Sequence, residues 1–153
     1  MSDTHRYRAQ ASWVGSTAVG YDAYERAHSV RCAPADAGLD LSGDPAFRGD
    51  PLRLNPEQLL LAAAVSCQLL AFLAVAARAR IDVVGYEDDA EADMPESDRP
   101  MRITAIRLRP HITVAAGTDP DRVHKLVAIA HKECFIANSL TSEMDVRATV
   151  VPA

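Results

Sequence analysis

The sequence predicts an α+β domain with antiparallel sheet, and three observations carry that prediction. A long apolar helix with a strong start signal occupies residues 55–79, and a second, amphipathic helix follows Asp119. The segments before, between and after them alternate with period two or break at Pro, Gly and Asp. The order is therefore strands, helix, strands, helix, strand. At 153 residues the chain reads as one domain, residues 1–153, because domains commonly run to roughly 100–150 residues. A chain of this size needs no disulfide or metal staple to hold a core.

Taken in order, "HRYRAQASWVG" alternates loosely, "STAVGYD" holds turn residues, and "AYERAHSVRCA" resumes as a second strand, which together predict a hairpin. "PADAGLDLSGDPAFRGDPLRL" is dense in Pro, Gly and Asp and reads as loop with room for a short strand. Asn55 then caps a helix, with Pro56 at the first helical position and Gln58 placed to complete a capping box. Glu57 suits the positive end of that helix. Polar residues are nearly absent from residues 59–77, so the helix is expected to be buried around much of its girth. "IDVVGYEDDAEADM" begins as a strand and passes into an acidic stretch, residues 87–98, readable as a flap or as a solvated loop. "RITAIRLRPHITVAA" alternates over most of its length and predicts one half-buried strand. In the second helix Asp119 is the cap, Pro120 the first residue, and Val123, Leu126, Val127 and Ala130 the inward stripe. A final strand is expected over residues 144–151.

Composition narrows the function classes. A net charge of −5 without a basic arm argues against a nucleic-acid partner held by phosphate contacts. "MSDTHRYRAQ" lacks the apolar stretch of a signal peptide, and no later segment is expected to span a bilayer. No membrane partner is expected, and a cytoplasmic location is. Three cysteines without an export signal read as thiols in a reducing compartment, of which at most two can pair within the chain.

Cys67 lies in the middle of the first helix, ten residues after Glu57, which puts the two on neighbouring helix faces about 80° apart. Taken alone, a cysteine in a buried helix is more often a small hydrophobe than a reactive group. Cys134 ends the second helix, and the same reading applies to it. His131 stands three residues before Cys134, but no CxxC or HxxxH pair supplies the rest of a metal site, so neither metal nor cofactor is expected. His131 itself reads as a solvated helix-surface residue. Cys32, near the end of the second strand, reads as incidental. Arginine is the side chain best able to lower a thiol pKa through a fixed fork of donors. Arg48 and Arg53 lie in the loop feeding the Cys67 helix, and Arg26 lies in the hairpin.

Two motifs carry a family resemblance. "NPEQLLLAAAVSC" resembles the Asn-Pro-Glu helix start, followed ten residues after its Glu by the reactive cysteine, of the family that joins the osmotically induced OsmC proteins and the organic hydroperoxide resistance proteins. "AHKECFIANSL" is similar to the same family's segment around its second cysteine. The arginine of the hydroperoxide resistance branch sits in a Gly-Gly-Arg turn that is missing from "GSTAVGYD" here, whereas "FRGDPLRLNPE" resembles the OsmC-like branch.

The resemblance implies an intertwined homodimer in which antiparallel sheets wrap long buried central helices. It implies a peroxidase that favours organic hydroperoxides, with hydrogen peroxide as a further substrate. Cys67 would become a sulfenic acid and Cys134 would close a disulfide on it. A dithiol, often a protein-bound lipoyl group in this family, would restore the thiols. It also implies a catalytic role for Arg48, held by Glu57, with Arg53 and Arg26 as alternatives. Leu60, Leu70 and Phe72 would suit an alkyl group or be plain core. The alternative reading is a non-catalytic dimer that senses oxidants or binds a small apolar ligand.

Overall fold

The turn-rich first third of the chain folds into a small three-stranded meander in the computed structural model, which describes residues 3–153. The chain divides into two units, Met1–Leu59 and Leu60–Ala153. In the first, β1 (Gln10–Ser12), β2 (His28–Arg31) and β3 (Gly38–Leu41) pair antiparallel in that order. The register sets Gln10 opposite Arg31 and His28 opposite Leu41. The expected hairpin is present, but its strands are shorter than their patterning, because the connection makes its own local structure. Ser16 caps a single 3-10 turn (Thr17–Val19), the Trp13 indole donates to the Glu25 carbonyl at 2.7 Å, and Arg26 lies over the Tyr24 ring at 3.7 Å.

The Pro/Asp/Gly-rich loop holds β3 and a 3-10 turn (Pro45–Phe47) capped by Asp44. Gly49 is required there: a Cβ would fall 1.6 Å from the Gly43 carbonyl oxygen. The loop then enters α1 (Pro56–Arg78) through a reciprocal capping box. The Gln58 amide donates to Asn55 Oδ1 at 2.8 Å, and the Asn55 amide donates to Gln58 Oε1 at 2.9 Å.

In the second unit, α1 buries one stripe, Ala64, Gln68, Phe72, Val75 and Ala76. The helix is therefore not covered around most of its girth in this chain. Leu70 is 64% exposed and Leu73 38%, since both lie off the stripe that meets the sheets. By length and composition α1 could cross a membrane, with an 18-residue window of mean hydropathy 2.4, which corrects the expectation that no segment reaches that size. Its inward stripe instead packs on protein. Phe72, Val75 and Ala76 join Ile112, Val114 and the stripe of α2 (Pro120–Glu133), while Ala64 meets Ile106 and Leu108. That second stripe is Val123, Leu126, Val127 and Ala130, all buried, and Asp119 caps the helix by accepting from the Asp121 amide at 3.0 Å.

Two three-stranded sheets complete this unit. One orders β4 (Val83–Asp88), β7 (Pro110–Val114) and β9 (Thr149–Pro152); the other orders β5 (Glu91–Asp93), β6 (Ala105–Leu108) and β8 (Glu143–Val146). The α+β class stands, and the pairing is mixed: β4–β7 and β5–β6 are antiparallel, β7–β9 and β6–β8 parallel. The parallel pairs arise because the chain returns through α2, a crossover long enough to restore strand direction.

Two expected single strands are each divided in two. The run through residues 102–116 turns at Arg109, whose guanidinium donates to the Leu108 carbonyl at 2.8 Å and to the Asp145 carboxylate at 2.9 Å. The last run divides at Arg147, whose amide donates to the Leu108 carbonyl at 3.0 Å. Both corners pass the chain from one sheet to the other. The acidic stretch is not wholly loop either. Asp93 and Glu91 on β5 meet Arg107 on β6 at 2.6 and 3.3 Å, so cross-strand charge pairing holds it in the sheet.

Candidate active site

Helix α1 presents Cys67 half-buried beside its inward stripe, and α2 ends on Cys134, which is wholly buried. Cys134 is the C-cap residue: its backbone leaves the helix at φ −68° and ψ 112°, and its amide donates to the His131 carbonyl at 3.3 Å. The chain then folds tightly back. The Asn138 amide donates to the Cys134 carbonyl at 3.0 Å, and the Ser139 hydroxyl donates to the Phe135 carbonyl at 2.7 Å. This turn aims two backbone amides at the sulfurs. Ile136 N–H donates to Cys67 Sγ and Ala137 N–H to Cys134 Sγ, each at 3.5 Å.

Both cysteines are free thiols, and they lie close enough for the Cys67 sulfur to act on the Cys134 thiol. Burial pushes the Cys134 thiol above its ordinary value of 9.0. The Ala137 amide pulls the other way, the hydrogen bond and charge of the Cys67 sulfur push it further up, and the Ile136 amide again opposes. Cys134 thus holds its proton more tightly than an ordinary thiol.

Cys67 opens onto a cavity of about 710 Å³. Ala63, Ala71, Ala74 and Leu70 of α1 form one wall, and Phe135 and Ile136 the other. Arg78 and Glu133 close the far end with an ion pair of 3.0 Å. Of the apolar residues read as alkyl contacts, Leu70 does line the cavity, whereas Phe72 and Leu60 pack in the core.

The remaining candidates lie in the first unit, where each has its own setting. Arg48 pairs with Asp22 at 2.9 Å from a left-handed backbone position, φ 69°. Arg53 meets Asp50 at 3.5 Å. Arg26 stacks on Tyr24 and Tyr21 and donates to both their carbonyls. Glu57 sits in the first turn of α1, half-buried. Cys32 is exposed.

His131 is half-buried rather than solvated and lines a different cavity together with His124 and Arg147. Among the described residues, no group of three or more His, Cys, Asp or Glu gathers as a metal site.

Sequence reasoning missed the two amide donors, because a backbone N–H carries no side-chain signature. It also missed Arg78 and Glu133, which only the packing of α1 beside α2 brings together. A buried Gln68 likewise takes its meaning from the fold: its Nε2 reaches the Val127 carbonyl at 3.5 Å and so links the two helices.

Residues 49–149 match the family model described as OsmC-like protein. The fold is similar to that of an OsmC-like protein of unknown function from Vibrio cholerae O1 biovar eltor, with 25% identity and a TM-score of 0.85 over 95% of this chain and 100% of that one. It is also similar to an organic hydroperoxide resistance protein OsmC from Legionella pneumophila, with 24% identity and a TM-score of 0.70 over 97% and 98%. A third similar structure, a V. cholerae organic hydroperoxide resistance protein with captopril bound in one of its active sites, gives 24% identity and a TM-score of 0.72 over 98% and 94%. No curated protein matches the chain.

Proposed function

Because this chain belongs to the OsmC-like protein family, we propose that it is a thiol-dependent peroxidase for organic hydroperoxides. The observation that carries this reading is the free pair Cys67 and Cys134, close together, with Cys67 lining an apolar cavity and Cys134 buried behind it.

The Cys67 thiolate attacks the distal oxygen of the hydroperoxide. The O–O bond breaks, the alkoxide takes a proton and leaves as the alcohol, and the sulfur is oxidised to a sulfenic acid. Cys134 then attacks that sulfur, water leaves, and a disulfide forms. A dithiol reduces the disulfide by two electrons, regenerating both thiols and becoming a disulfide itself. The roles divide by access. Cys134 is wholly buried, so Cys67, open to the cavity and receiving the Ile136 amide, is the nucleophile.

The family resemblance assigns the activating cation to Arg48, with Glu57 to hold it and Arg53 and Arg26 as alternatives. It also implies a homodimer in a reducing, cytoplasmic setting, and the exposed apolar side chains of α1 support a second copy as their cover. The cavity alone would equally suit a protein that binds a small apolar ligand without turnover. A lining thiol, Cys67, with a second thiol close behind it favours chemistry.

Continuous turnover decides between the two. With cumene hydroperoxide and excess dihydrolipoamide, the protein is expected to consume many equivalents of peroxide per thiol pair. Consumption that stops at one equivalent would refute the enzyme and leave an oxidant sensor.

A further inference from the structure

We propose that the cavity between α2 and the corner joining β8 to β9 binds a soluble phosphomonoester, a small organic body carrying one phosphate group. The cavity measures about 460 Å³, room enough for such a molecule. No residue of α1 lines it, and it shares no lining residue with the Cys67 cavity, so the inference stands apart from the peroxidase reading. Helix α2 builds one wall. His124 and His131 lie seven residues apart, which sets them within about 20° of one another on the helix and about 10 Å apart along its axis. Val127 falls between them and Lys132 flanks them. The corner builds the facing wall with Val146 and Arg147. Val127 and Val146 pack into the larger core cluster and fix an apolar floor, while His124, Lys132 and Arg147 are exposed at the rim.

Charge and hydrogen bonding select the anion. Every polar side chain that lines the cavity is His, Lys or Arg, and among the described residues no Asp or Glu lines it. Lys132 and Arg147 supply two positive charges, which match the charge of about −1.5 to −2 on a phosphomonoester at neutral pH. A carboxylate offers those cations only one charge. Arg147 commits only Nε to Asp145, at 2.9 Å, and that carboxylate is shared with Arg109. The Nη groups of Arg147 are therefore open to phosphate oxygens. The imidazoles add N–H donors, and His131 Nδ1 is buried without a hydrogen-bond partner among the described residues. His131 and Lys132 also suit the negative end of α2, but that accounts for neither His124 nor Arg147. A metal ion does not fit, because among the described residues no third His, Cys, Asp or Glu joins the two imidazoles. The net charge of −5 disfavours an anionic membrane as the source of the phosphate, which leaves a soluble ester.

Phenyl phosphate and benzoate share an aromatic body and differ in the anion. Each is titrated into the full chain in phosphate-free buffer, with binding followed by calorimetry and by the histidine ring signals in NMR. Phenyl phosphate is expected to bind about tenfold more tightly than benzoate, and to move the His124 and His131 signals while that of His28 stays in place. Arg147→Gln and Lys132→Gln should each weaken it by about tenfold, and Arg147→Lys by less. Lys125→Gln, on the same helix but outside the cavity, should leave it unchanged. Circular dichroism shows whether each variant is folded. Equal affinity for the two anions, histidine signals that do not move, or binding that survives both Gln substitutions would overturn the inference. So would inorganic phosphate that binds more tightly than the phenyl ester, since the apolar floor would then hold nothing. Sedimentation with phosphatidic acid vesicles in the absence of phenyl phosphate binding would also overturn it, by putting the phosphate on a lipid.

Discussion

The backbone amide of Ile136 donates a hydrogen bond to the Cys67 sulfur at 3.5 Å across 69 residues of sequence. A donor aimed at a sulfur stabilises the thiolate more than the thiol, and hydrogen bonds to charged groups contribute about 1.5–3 kcal/mol. Removing it should slow Cys67 oxidation by about tenfold or more. Ile136→Pro does so at a backbone position already at φ −69°, the value proline fixes. Ile136→Val, which keeps the amide, is the control. Stopped-flow thiol oxidation compares the two, and equal rates would show that the amide does not activate the sulfur.

The three cysteines should separate cleanly under substitution. Cys67→Ser is expected to abolish peroxide consumption. Cys134→Ser should give a single turnover that ends with a sulfenic acid on Cys67, trapped with dimedone and located by mass spectrometry. Cys32 is exposed and lies at the end of β2 in the other unit, so Cys32→Ser should leave turnover as it was. Sustained turnover by the Cys134 variant would contradict the two-cysteine cycle.

Stability should also depend on Cys134 at alkaline pH. Burial first, and then the neighbouring sulfur, hold this thiol above its ordinary 9.0, so the folded chain retains a proton that the unfolded chain releases. The stability it contributes is whole below that ordinary value and is lost as the pH rises toward the folded one. Cys134→Ala should therefore flatten the fall in stability above pH 9, compared with wild type, in urea unfolding followed at stepped pH. Parallel falls in the two proteins would contradict the assignment.

Much of the fold could be read from residues. The capping box of Asn55 and Gln58, the start of α2 at Asp119 and its buried stripe stand in the structure where the pattern put them. The corners at Arg109 and Arg147 were hidden, because period-two alternation continues across a bend that passes the chain from one buried sheet face to another. The thiols of the site carried a sequence signal through their motifs. Its amide donors did not, nor did the Arg78–Glu133 end of the cavity, which depends on two helices meeting 55 residues apart.

Gln68 offers a test of the packing itself. It is fully buried, with one long hydrogen bond to Val127, and its Oε1 accepts nothing from the described residues. An apolar side chain of similar shape should do as well or better. Gln68→Met is expected to raise unfolding stability by about 1 kcal/mol, whereas Phe72→Ala, which empties the centre of the larger core cluster, should cost about 3–5 kcal/mol. Chemical denaturation measures both. A loss above about 2 kcal/mol for Gln68→Met would mean that the amide is a needed link between the helices.

The most direct test of the account is peptide mapping of the reduced protein after one equivalent of cumene hydroperoxide, with hydrogen peroxide in parallel. The account predicts a Cys67–Cys134 disulfide that forms faster with the organic peroxide, with Cys32 left as a thiol. Recovery of Cys67 and Cys134 as unmodified thiols would contradict it.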